Sequence, residues 1–521
     1  MRKKYKSLKT QLLLGFLFAV QLALVYSTRN ATSRYNVVLV IFDDMRPVIG
    51  GYGDRLAYTP HLDAFMNESY YFTRAYSQQA LCAPSRNSML TSRRPDTLHL
   101  YDFYSYWRNF VGNFTTLPQY FKEHGYYTYS TGKIFHPGIS SNNTDDYPLS
   151  WTARPFRPKT EKYMNSPVCP DVSGVLKKNL ICPVHLQTQP YKTLPDIEST
   201  TEAIRFVQTR TKNRKPYFLA LGFHKPHINF RFPKQFLNHF RIRNFYNYTE
   251  DTIKPHDMPN VAWNPYTDVR SRDDFKYMNI SFPYGPISRL QSAQIRQAYY
   301  ASVAYVDDLF GKFMANIDKN NTIVLVTSDH GWSLGEHAEW AKYSNFEVAL
   351  RVPLIIRTPE YALDTAKRVN TMTELVDVFP TLVDLAHLPS LPRCTDTTQL
   401  ACTEGKSLFP QLGGVGLGEE HVALSQYPRP GTQPTKHPNS DKPKLKNIKV
   451  MGYSMRTENY RYTLWVRFHA QNFSRDWTDI YGEEMYDHRL DAGEEMNLAE
   501  LPEFDDVRTW LRKKLIVSFS K

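Results

Sequence analysis

Residues 36–44 read Asn-Val-Val-Leu-Val-Ile-Phe-Asp-Asp, and this stretch decides the fold class. An unbroken run of apolar, mostly β-branched residues is typical of a strand buried on both faces of a parallel sheet. A second such run, Ile323–Thr327, is followed by Ser-Asp-His-Gly. Because the carboxyl ends of parallel strands meet at one edge of a sheet, we expect Asp43, Asp44 and Asp329 to lie together there. The two runs therefore predict an α/β fold with a site at that edge.

The segments between these runs supply the rest of the predicted sheet and its helices. Strands are predicted at Tyr126–Thr131 and Tyr217–Gly222, and helices at Leu117–His124, Ser292–Ile317 and Thr373–Ala386. Pro380 is expected to kink or split the last helix, because proline removes a backbone donor. Asp307 and Asp308 lie on the long helix, and we interpret them as part of a solvated helix face.

A smaller unit is predicted towards the C-terminus. Residues 389–418 are rich in Pro, Gly and Thr, which indicates a boundary between a large subdomain at 34–412 and a small one at 418–521. In the small subdomain we predict an antiparallel sheet and a terminal helix, at Lys449–Met455, Tyr460–Phe468, Glu484–Asp487 and Asp505–Val517.

Composition and charge narrow the class of partner. The 521 residues are 41% hydrophobic and carry a formal net charge of +13, which indicates a globular, basic protein. Residues 1–27 hold five of the basic residues and no acid, so +8 remains without them. A basic surface suits an anionic partner, and the sequence has no Lys/Arg run or aromatic–basic motif of a nucleic-acid-binding module. We expect an anionic polysaccharide and no nucleic acid; a basic protein without such a partner is the alternative.

The N-terminus predicts entry into the secretory pathway. Residues 1–27 join a basic stretch to the apolar run Leu12–Tyr26, which is typical of a signal peptide and short for a membrane span. An uncleaved anchor is the alternative, and no stable membrane span is expected. Many Asn-x-Ser/Thr sequons support this route; they begin at Asn30, Asn67, Asn113, Asn142, Asn247, Asn279, Asn320 and Asn472.

The five cysteines divide into two close pairs and one single residue. An oxidising compartment favours pairing of Cys169 with Cys182 and of Cys394 with Cys402, although the sequence leaves other pairings open. Cys82 is left over. It is either a small buried apolar side chain or a residue with a chemical role.

Cys82 lies in Gln79–Arg86 (QALCAPSR), and this stretch resembles the modification signature of the type I sulfatases. The resemblance implies that a formylglycine-generating enzyme oxidises Cys82 to formylglycine, whose hydrated aldehyde supplies the nucleophilic oxygen. It also implies the alkaline-phosphatase-like sulfatase fold, in which helices flank a large mixed sheet. One departure concerns maturation, because Ser92 stands where the family usually has glycine in a Leu-Thr-Gly-Arg element.

The acidic residues at the strand ends predict a metal site. Asp43, Asp44 and Asp329 offer hard oxygen ligands, which favour Ca²⁺ or Mg²⁺ over a metal held by thiolates. The resemblance implies one Ca²⁺ at this position, with the formylglycine at position 82 as a further ligand. His330 is the fourth candidate ligand, although many sulfatases have asparagine there and nitrogen is an unusual ligand for calcium.

Sulfate ester hydrolysis also needs positive charge around the sulfate oxygens and a proton for the leaving alcohol. Arg86, Lys133 and Lys342 are the candidates for the positive charge. Lys133 and His136 share a Gly-Lys-x-x-His element with the sulfatases, in which the histidine helps to expel sulfate from the covalent intermediate. His227, in His-Lys-Pro-His, resembles a family element near the leaving group.

Longer stretches, spread over about Tyr35–Asp487, resemble one branch of the family more closely. They are Ser92–Trp107, Lys133–Asp146, Ser328–Phe346, Ser425–Pro430 and Asn439–Trp465. This branch removes the 2-O-sulfate of terminal iduronate from heparan and dermatan sulfate, and the resemblance implies that reaction in the lysosome, with secretion as the alternative. The candidates for sugar contact are Lys442, His227 and Trp332, and we expect Lys442 to bind the iduronate carboxylate.

Other functions stay open at this point. The chain could act on a different sulfated sugar, or it could be a catalytically inactive homologue that binds glycans. A phosphatase or phosphodiesterase is disfavoured, because such relatives place Ser or Thr at the nucleophile and use more metal ligands. Formylglycine at position 82 in a mass spectrum would separate the enzyme from the binding protein.

Overall fold

The computed structural model describes residues 34–210, 215–248, 254–396, 398–414 and 421–520. From Asn36 onwards the chain packs as one compact unit, and the boundary expected near 412–418 stays a prediction. The predicted signal peptide and the Asn30 sequon lie outside the described residues. Among the residues described, no helix has both the length and the apolar character needed to cross a membrane.

A mixed sheet of eight strands forms the centre of the fold. Seven of them are β1 (Asn36–Asp43), β2 (Tyr70–Tyr76), β3 (Tyr127–Gly132), β4 (Tyr217–Pro226), β5 (Thr322–Ser328), β6 (Arg351–Arg357) and β7 (Lys367–Val369). They are ordered β7-β2-β6-β5-β1-β4-β3, and Thr373–Glu374 pairs with β2. The neighbours β5, β1, β4 and β3 are parallel, whereas β6 runs antiparallel to both β5 and β2. The α/β prediction is confirmed.

Strand β1 occupies the middle of the sheet, as its apolar sequence predicts. Every residue from Val37 to Phe42 is fully buried, because β5 and β4 pair with its two sides and cover its backbone. Phe42 is paired with Ser328. The acidic residues that follow these two strands therefore emerge side by side.

Two glycines allow β3 and β4 to approach closely where they end. A Cβ atom on Gly132 would lie 2.0 Å from the carbonyl oxygen of Gly222, and one on Gly222 would lie 2.0 Å from that of Lys133. Gly132 also has a φ of +74°, which favours glycine. This approach fixes the position of Lys133 at the sheet edge.

Helices pack against the strands of the sheet. They are α1 (Pro60–Asn67), α2 (Cys82–Thr91), α3 (Leu117–Glu123), α4 (Pro195–Arg210), α5 (Arg289–Met314) and α6 (Val378–Leu385). Shorter helical turns lie at Pro95–Leu98, Trp107–Phe110, Thr267–Arg270, Asp273–Tyr277, Glu347–Leu350 and Phe409–Leu412. The predicted helices at 117–124 and 292–317 are confirmed.

The interpretation of Asp307 as a solvated residue is wrong. Its side chain is buried, and its two carboxylate oxygens accept hydrogen bonds from the backbone amides of His61 (3.1 Å) and Leu62 (2.7 Å). These amides belong to the first turn of α1, which has no partners for them within the helix. Asp308, by contrast, pairs with Lys312 on a solvated face.

The prediction of a single helix at 373–386 is also wrong for the first half of that range. Residues 373–374 pair with β2, and Leu375–Asp377 forms a short 3₁₀ turn before α6 begins. Pro380 lies in the first turn of α6, where its missing donor would have no helical partner in any case. It therefore neither kinks nor splits the helix.

The C-terminal region forms the predicted antiparallel sheet and terminal helix. Its four strands, β8 (Ala423–Arg429), β9 (Val450–Arg456), β10 (Tyr460–His469) and β11 (Ser474–Asp487), pair in chain order. Helix α7 (Asp505–Phe519) covers this sheet with Leu511, Leu515 and Phe519. Strand β8 contains Pro428, which an edge strand tolerates.

The two expected disulfides, Cys169–Cys182 and Cys394–Cys402, are confirmed, and Cys82 is free and buried. Arg93, just beyond α2, directs its guanidinium to the sulfur atoms of Cys394 (2.8 Å) and Cys402 (2.9 Å). The second disulfide is thereby tied to the C-terminal end of the helix that begins at Cys82.

Candidate active site

Helix α2 presents Cys82 and Arg86 to the edge of the sheet. The two residues lie one helical turn apart, so their side chains share a face. Cys82 is 1% exposed and Arg86 is fully buried. The Arg86 guanidinium donates from Nε to Asp329 Oδ2 (2.8 Å) and from a terminal nitrogen to Asp43 Oδ1 (3.1 Å). Arg86 therefore joins the two acidic strand ends.

Asp44 takes a backbone conformation that few non-glycine residues adopt, with a φ of +66°. Its amide donates to Asp329 Oδ1 (3.0 Å), and its carbonyl accepts from the Tyr299 hydroxyl (2.7 Å). These bonds hold the strained conformation, and Asp44 Oδ1 lies 3.9 Å from Cys82 Sγ.

Two buried lysines complete the centre of the site. Lys133 Nζ donates to Asp43 Oδ2 (2.6 Å) from the end of β3. Lys342 Nζ lies 2.7 Å from Asp44 Oδ1 and 3.1 Å from Cys82 Sγ. The reactive position is therefore surrounded by fixed positive charge.

Three histidines surround this centre. His330 Nδ1 faces the Gly331 carbonyl (3.0 Å), so Nδ1 carries the proton and the Nε2 lone pair points to the acids, 3.4 Å from Asp44 Oδ1. His227 Nε2 lies 3.9 Å from Asp44 Oδ2, and this side chain is 19% exposed. The His136 ring lies towards the outside of the site, with its centroid 4.4 Å from that of Phe103.

The donor atoms fit a hard cation. Asp44, Cys82, Asp329 and His330 each place one ligand atom within 4.8 Å of the others, and Asp43, Asp44, Cys82 and His227 do the same. Within the described chain, Asp44 Oδ2 and His330 Nε2 are buried without a hydrogen-bond partner. A buried polar atom without a partner costs about 1–3 kcal/mol, and a cation bound by the carboxylates would remove that cost.

The pKa values of Asp43, Asp44 and the Cys82 thiol lie far from their ordinary values. Burial raises the pKa of Asp44 to about 7. The negative charges of Asp43 and Asp329 also raise it, whereas the positive charge of Lys342 lowers it. Burial acts on Asp43 in the same direction, but Lys133 and other cations outweigh it and hold its pKa well below the ordinary value. Burial, with the charge of Asp43, raises the pKa of the Cys82 thiol to about 12. An unmodified Cys82 would therefore stay a neutral thiol and a poor nucleophile.

Burial also makes the two outer histidines weak bases. It lowers the pKa of His136 well below the ordinary value, with Lys133 adding to the effect. It lowers the pKa of His227 in the same way, with Lys342 adding. Both rings are therefore neutral in the protein without substrate.

Most of the residues singled out in the sequence lie in this site, but two do not. Lys442 lies beyond Tyr343, with Nζ 3.8 Å from Asp268 Oδ2 and 3.5 Å from the Tyr343 hydroxyl. The prediction that Trp332 contacts substrate is at odds with its position. Trp332 is 1% exposed, because its ring packs between Tyr299 and Phe230 in the core beneath the site.

Sequence reasoning missed three supporting residues. Ser85 donates to the Asp329 carbonyl, and its place in the cysteine motif was an available signal. Tyr299, which bonds to Asp44, gave no signal, because it lies on a helix 255 residues away. Lys225 donates from Nζ to the carbonyls of His227 and Asn229, so a buried lysine fixes the loop that carries His227.

Comparison with known protein families identifies the class of enzyme to which the chain belongs. The sulfatase family model matches residues 35–388. The chain therefore belongs to the sulfatase family and is an enzyme that hydrolyses sulfate esters, as the sequence resemblance implied.

Individual proteins can also be compared with the chain by sequence identity and by structure. The iduronate 2-sulfatase of Mus musculus is 46% identical over 520 residues, which cover 92% of this chain and 94% of the relative. The iduronate 2-sulfatase of Homo sapiens is 46% identical over 495 residues, which cover 88% and 90%. Among solved structures, the phosphonate monoester hydrolase of Agrobacterium radiobacter superposes with a TM-score of 0.68 at 20% identity, covering 93% of this chain and 95% of that one. The predicted alkaline-phosphatase-like fold is confirmed.

Proposed function

We propose that this protein hydrolyses the 2-O-sulfate ester of terminal iduronate in heparan and dermatan sulfate. The observation that carries the proposal is the buried cluster of cationic side chains around Cys82, in a chain that shares 46% identity with two iduronate 2-sulfatases.

The side chains around Cys82 suit a sulfate group. The cations Arg86, Lys133 and Lys342 are each paired with a carboxyl group of Asp43, Asp44 or Asp329. Asp43, Asp44, Asp329 and His330 would hold one Ca²⁺, which supplies the surplus positive charge that an anionic ester needs. Preorganised charge of this kind stabilises charge that develops on the sulfate oxygens.

Position 82 supports covalent chemistry through an oxygen rather than through sulfur. The thiol, with a pKa raised to about 12, is protonated at any physiological pH. Formylglycine at this position would instead supply a hydroxyl oxygen as the nucleophile. Lys342 Nζ, 3.1 Å from Sγ, is placed to bond to an atom there, and His136, whose pKa is lowered by burial, is the candidate that accepts a proton.

His227 is the candidate that protonates the leaving alcohol. Without substrate, burial and Lys342 hold its pKa low. A bound sulfate adds negative charge nearby and acts in the opposite direction, so His227 takes up a proton together with the substrate. Its partly exposed ring then delivers that proton to the leaving oxygen.

We place the enzyme in the lysosome, reached through the secretory pathway, with secretion as the alternative. The support is the predicted signal peptide, the sequons and the two disulfides, which form in oxidising compartments. Maturation by a formylglycine-generating enzyme belongs to the same proposal.

Lys442 provides the test of iduronate specificity. Its ammonium lies over the Tyr343 ring, 5.6 Å from the centroid, and Tyr343 follows Lys342. We expect Lys442→Ala to lower kcat/KM for an iduronate 2-sulfate glycoside about ten- to a hundredfold, because it removes a charge-assisted contact. An aryl sulfate without a carboxylate should be hydrolysed as before.

Lys446→Ala is the matched control, since Lys446 is an exposed lysine of the same segment. Equal losses on the two substrates for Lys442→Ala would contradict carboxylate recognition. A wild-type enzyme that hydrolyses the aryl sulfate but no iduronate 2-sulfate would favour the alternative of a different sulfated sugar. A peptide mass spectrum with an intact thiol at Cys82 would favour the inactive glycan-binding alternative.

A further inference from the structure

A pocket of about 410 Å³ lies between residues 102–110, residues 139–143 and Leu445. Three aromatic residues, Tyr104, Tyr106 and Phe110, line it together with Ile139, Leu445 and Asp102. Pockets of a few hundred Å³ lined by aromatic and a few polar groups suit small ligands.

The walls of this pocket are linked to residues of the proposed site by single contacts and short stretches of chain. One wall follows Phe103, whose ring centroid lies 4.4 Å from that of His136. A second wall, residues 139–143, is tied to His136 because Ser141 Oγ donates to the His136 carbonyl (2.8 Å). The third wall contains Leu445, three residues after Lys442 and therefore within about 11 Å of it along the chain. Each wall of the pocket is thus connected to a residue of the proposed site, either His136 or Lys442.

The pocket also gathers apolar side chains that the fold leaves exposed. Tyr104 is 48% exposed, Phe110 49% and Ile139 49%. A cluster of such side chains at the edge of a site indicates a binding surface. The flat faces of Tyr and Phe rings pack well against the C–H faces of sugars, and the tyrosine hydroxyls bond to their polar edges.

The cationic side chain of Lys444 lies at this surface. The exposed Lys444 places Nζ over the Tyr104 ring, 4.7 Å from its centroid. The nearby acid does not neutralise it by direct pairing, because Asp102 accepts hydrogen bonds from the backbone amides of Tyr104 (2.8 Å) and Leu445 (2.7 Å). Asp102 therefore joins two walls of the pocket, and the Lys444 ammonium stays available to an anion.

We propose that this pocket binds the second sugar of the substrate, the amino sugar linked to the terminal iduronate, and that Lys444 contacts a sulfate group on it. The inference rests on the proposed function and deepens it, since it makes the enzyme sensitive to the sulfation of a sugar that it does not cleave. Tyr104 and Phe110 bind the ring, and Lys444 distinguishes a sulfated neighbour from an unsulfated one.

The test compares three substrates that share a terminal 2-O-sulfated iduronate. The first is a simple glycoside, the second a disaccharide with an unsulfated amino sugar, and the third the same disaccharide with a sulfated amino sugar. Lys444→Ala should raise KM about tenfold for the third substrate with kcat unchanged, because the lost contact is made equally in the ground and transition states. The losses on the other two substrates should stay within about twofold, as for Lys446→Ala on all three.

Tyr104→Ala provides a second, independent variant. It removes the stacking surface and should raise KM for both disaccharides, whether sulfated or not, while sparing the simple glycoside. The proposal is overturned if Lys444→Ala affects all three substrates equally or none of them. Because Asn142 begins a sequon at the pocket, the same selectivity must also be present in Asn142→Gln, and its absence there would overturn the proposal as well.

Binding to an inactive protein separates the two proposals. In a Cys82→Ala background, calorimetry with the sulfated disaccharide should show about tenfold weaker binding when Lys444 is also replaced. Unchanged affinity would overturn the pocket assignment whatever the wild-type enzyme hydrolyses. A wild-type enzyme that leaves the simple iduronate glycoside intact would overturn the proposed function, while the calorimetry still decides the pocket.

Discussion

The protein contains two buried clusters of acidic and basic side chains, and they differ in how completely their atoms are paired. One is the candidate active site at the edge of the large sheet. The other, which we call the arginine cluster, lies between the Glu347–Leu350 turn and the small sheet and consists of Glu347, Arg456, Arg461, His488 and Glu494.

In the arginine cluster every carboxylate oxygen has a partner. Glu347 accepts from the Tyr76 hydroxyl at Oε1 and from Arg461 at Oε2 (2.7 Å). Glu494 accepts from Arg461 and His488 at Oε1 and from the Glu347 amide at Oε2. Although burial acts in the opposite direction, the arginines lower the pKa of Glu347 to about 2.

The active site, with similar charges, leaves Asp44 Oδ2, His330 Nε2 and His136 Nδ1 buried and without hydrogen-bond partners among the described residues. The difference teaches that burial of charge is not by itself a sign of function. A fully paired cluster joins parts of the fold, whereas a cluster with unpaired atoms is arranged for a ligand.

Among the variants that test this comparison, substitutions of Cys82 should have the largest effect. Cys82→Ala should abolish turnover while the melting temperature changes little, because the substitution removes the modified group and almost no volume. Cys82→Ser should be nearly as inactive, since serine can accept sulfate but cannot eliminate it through an aldehyde. Steady-state assays and thermal melts of both variants check this, and substantial activity in either one would exclude a formylglycine mechanism.

Removing one of the unpaired atoms should be the next largest effect. Asp44→Asn lowers the charge of the candidate cation site and should reduce kcat/KM by about a thousandfold, near the upper end for loss of one electrostatic group. Chelation of the wild-type enzyme should give a comparable loss that Ca²⁺ restores. If chelation left the activity untouched, the unpaired atoms would need another explanation.

The arginine cluster should respond in stability and not in catalysis. Glu494→Gln leaves the buried Arg461 with one carboxylate partner fewer and should cost about 3 kcal/mol of unfolding free energy, with kcat unchanged in the folded enzyme. Denaturant titration measures the first quantity and a steady-state assay the second. The exposed pair Arg508–Asp505 is the control, because Asp505→Asn should cost less than about 1 kcal/mol. A fall in kcat for Glu494→Gln would remove the distinction between the clusters.

The smallest expected effect concerns a single buried acid. Burial raises the pKa of Glu339 to about 8, so the folded protein holds a proton that the unfolded chain releases above its ordinary value of 4.5. Stability is therefore fully present below about pH 4.5 and is lost as the pH rises towards 8. Glu339→Gln should raise the melting temperature by about 2 °C or more at pH 8 and leave it unchanged at pH 4.5. Equal shifts at both pH values would mean that Glu339 acts through packing.

The sequence identified the core of the site because that part obeys local rules. The acids follow strands with strong apolar patterns, and Arg86 follows Cys82 by one helical turn. Residues held by tertiary contacts were harder to predict. Strands β2 and β6 were missed, since one mixes polar residues into its pattern and the other contains Pro353.

Asp307 and Trp332 were hard to predict for the same reason, because tertiary contacts decide their surroundings. Each carries the residue type of a surface or a binding site, but its surroundings come from other segments of the chain, α1 for Asp307 and α5 for Trp332. Family resemblance supplied Lys342, whose distance of 2.7 Å to Asp44 spans 298 residues of sequence. No local pattern contains that contact.

The burial of Cys82 also sets a time limit on how the enzyme is made. In the folded protein this side chain is 1% exposed, and Lys342, which covers it, is synthesised 260 residues later. At about 5–20 residues per second, the ribosome takes roughly 13–50 s to cover that distance. The proposed oxidation must be completed on a chain that has not yet closed over position 82. A molecule that folds with its thiol intact keeps it, so the yield of active enzyme depends on a race between modification and folding.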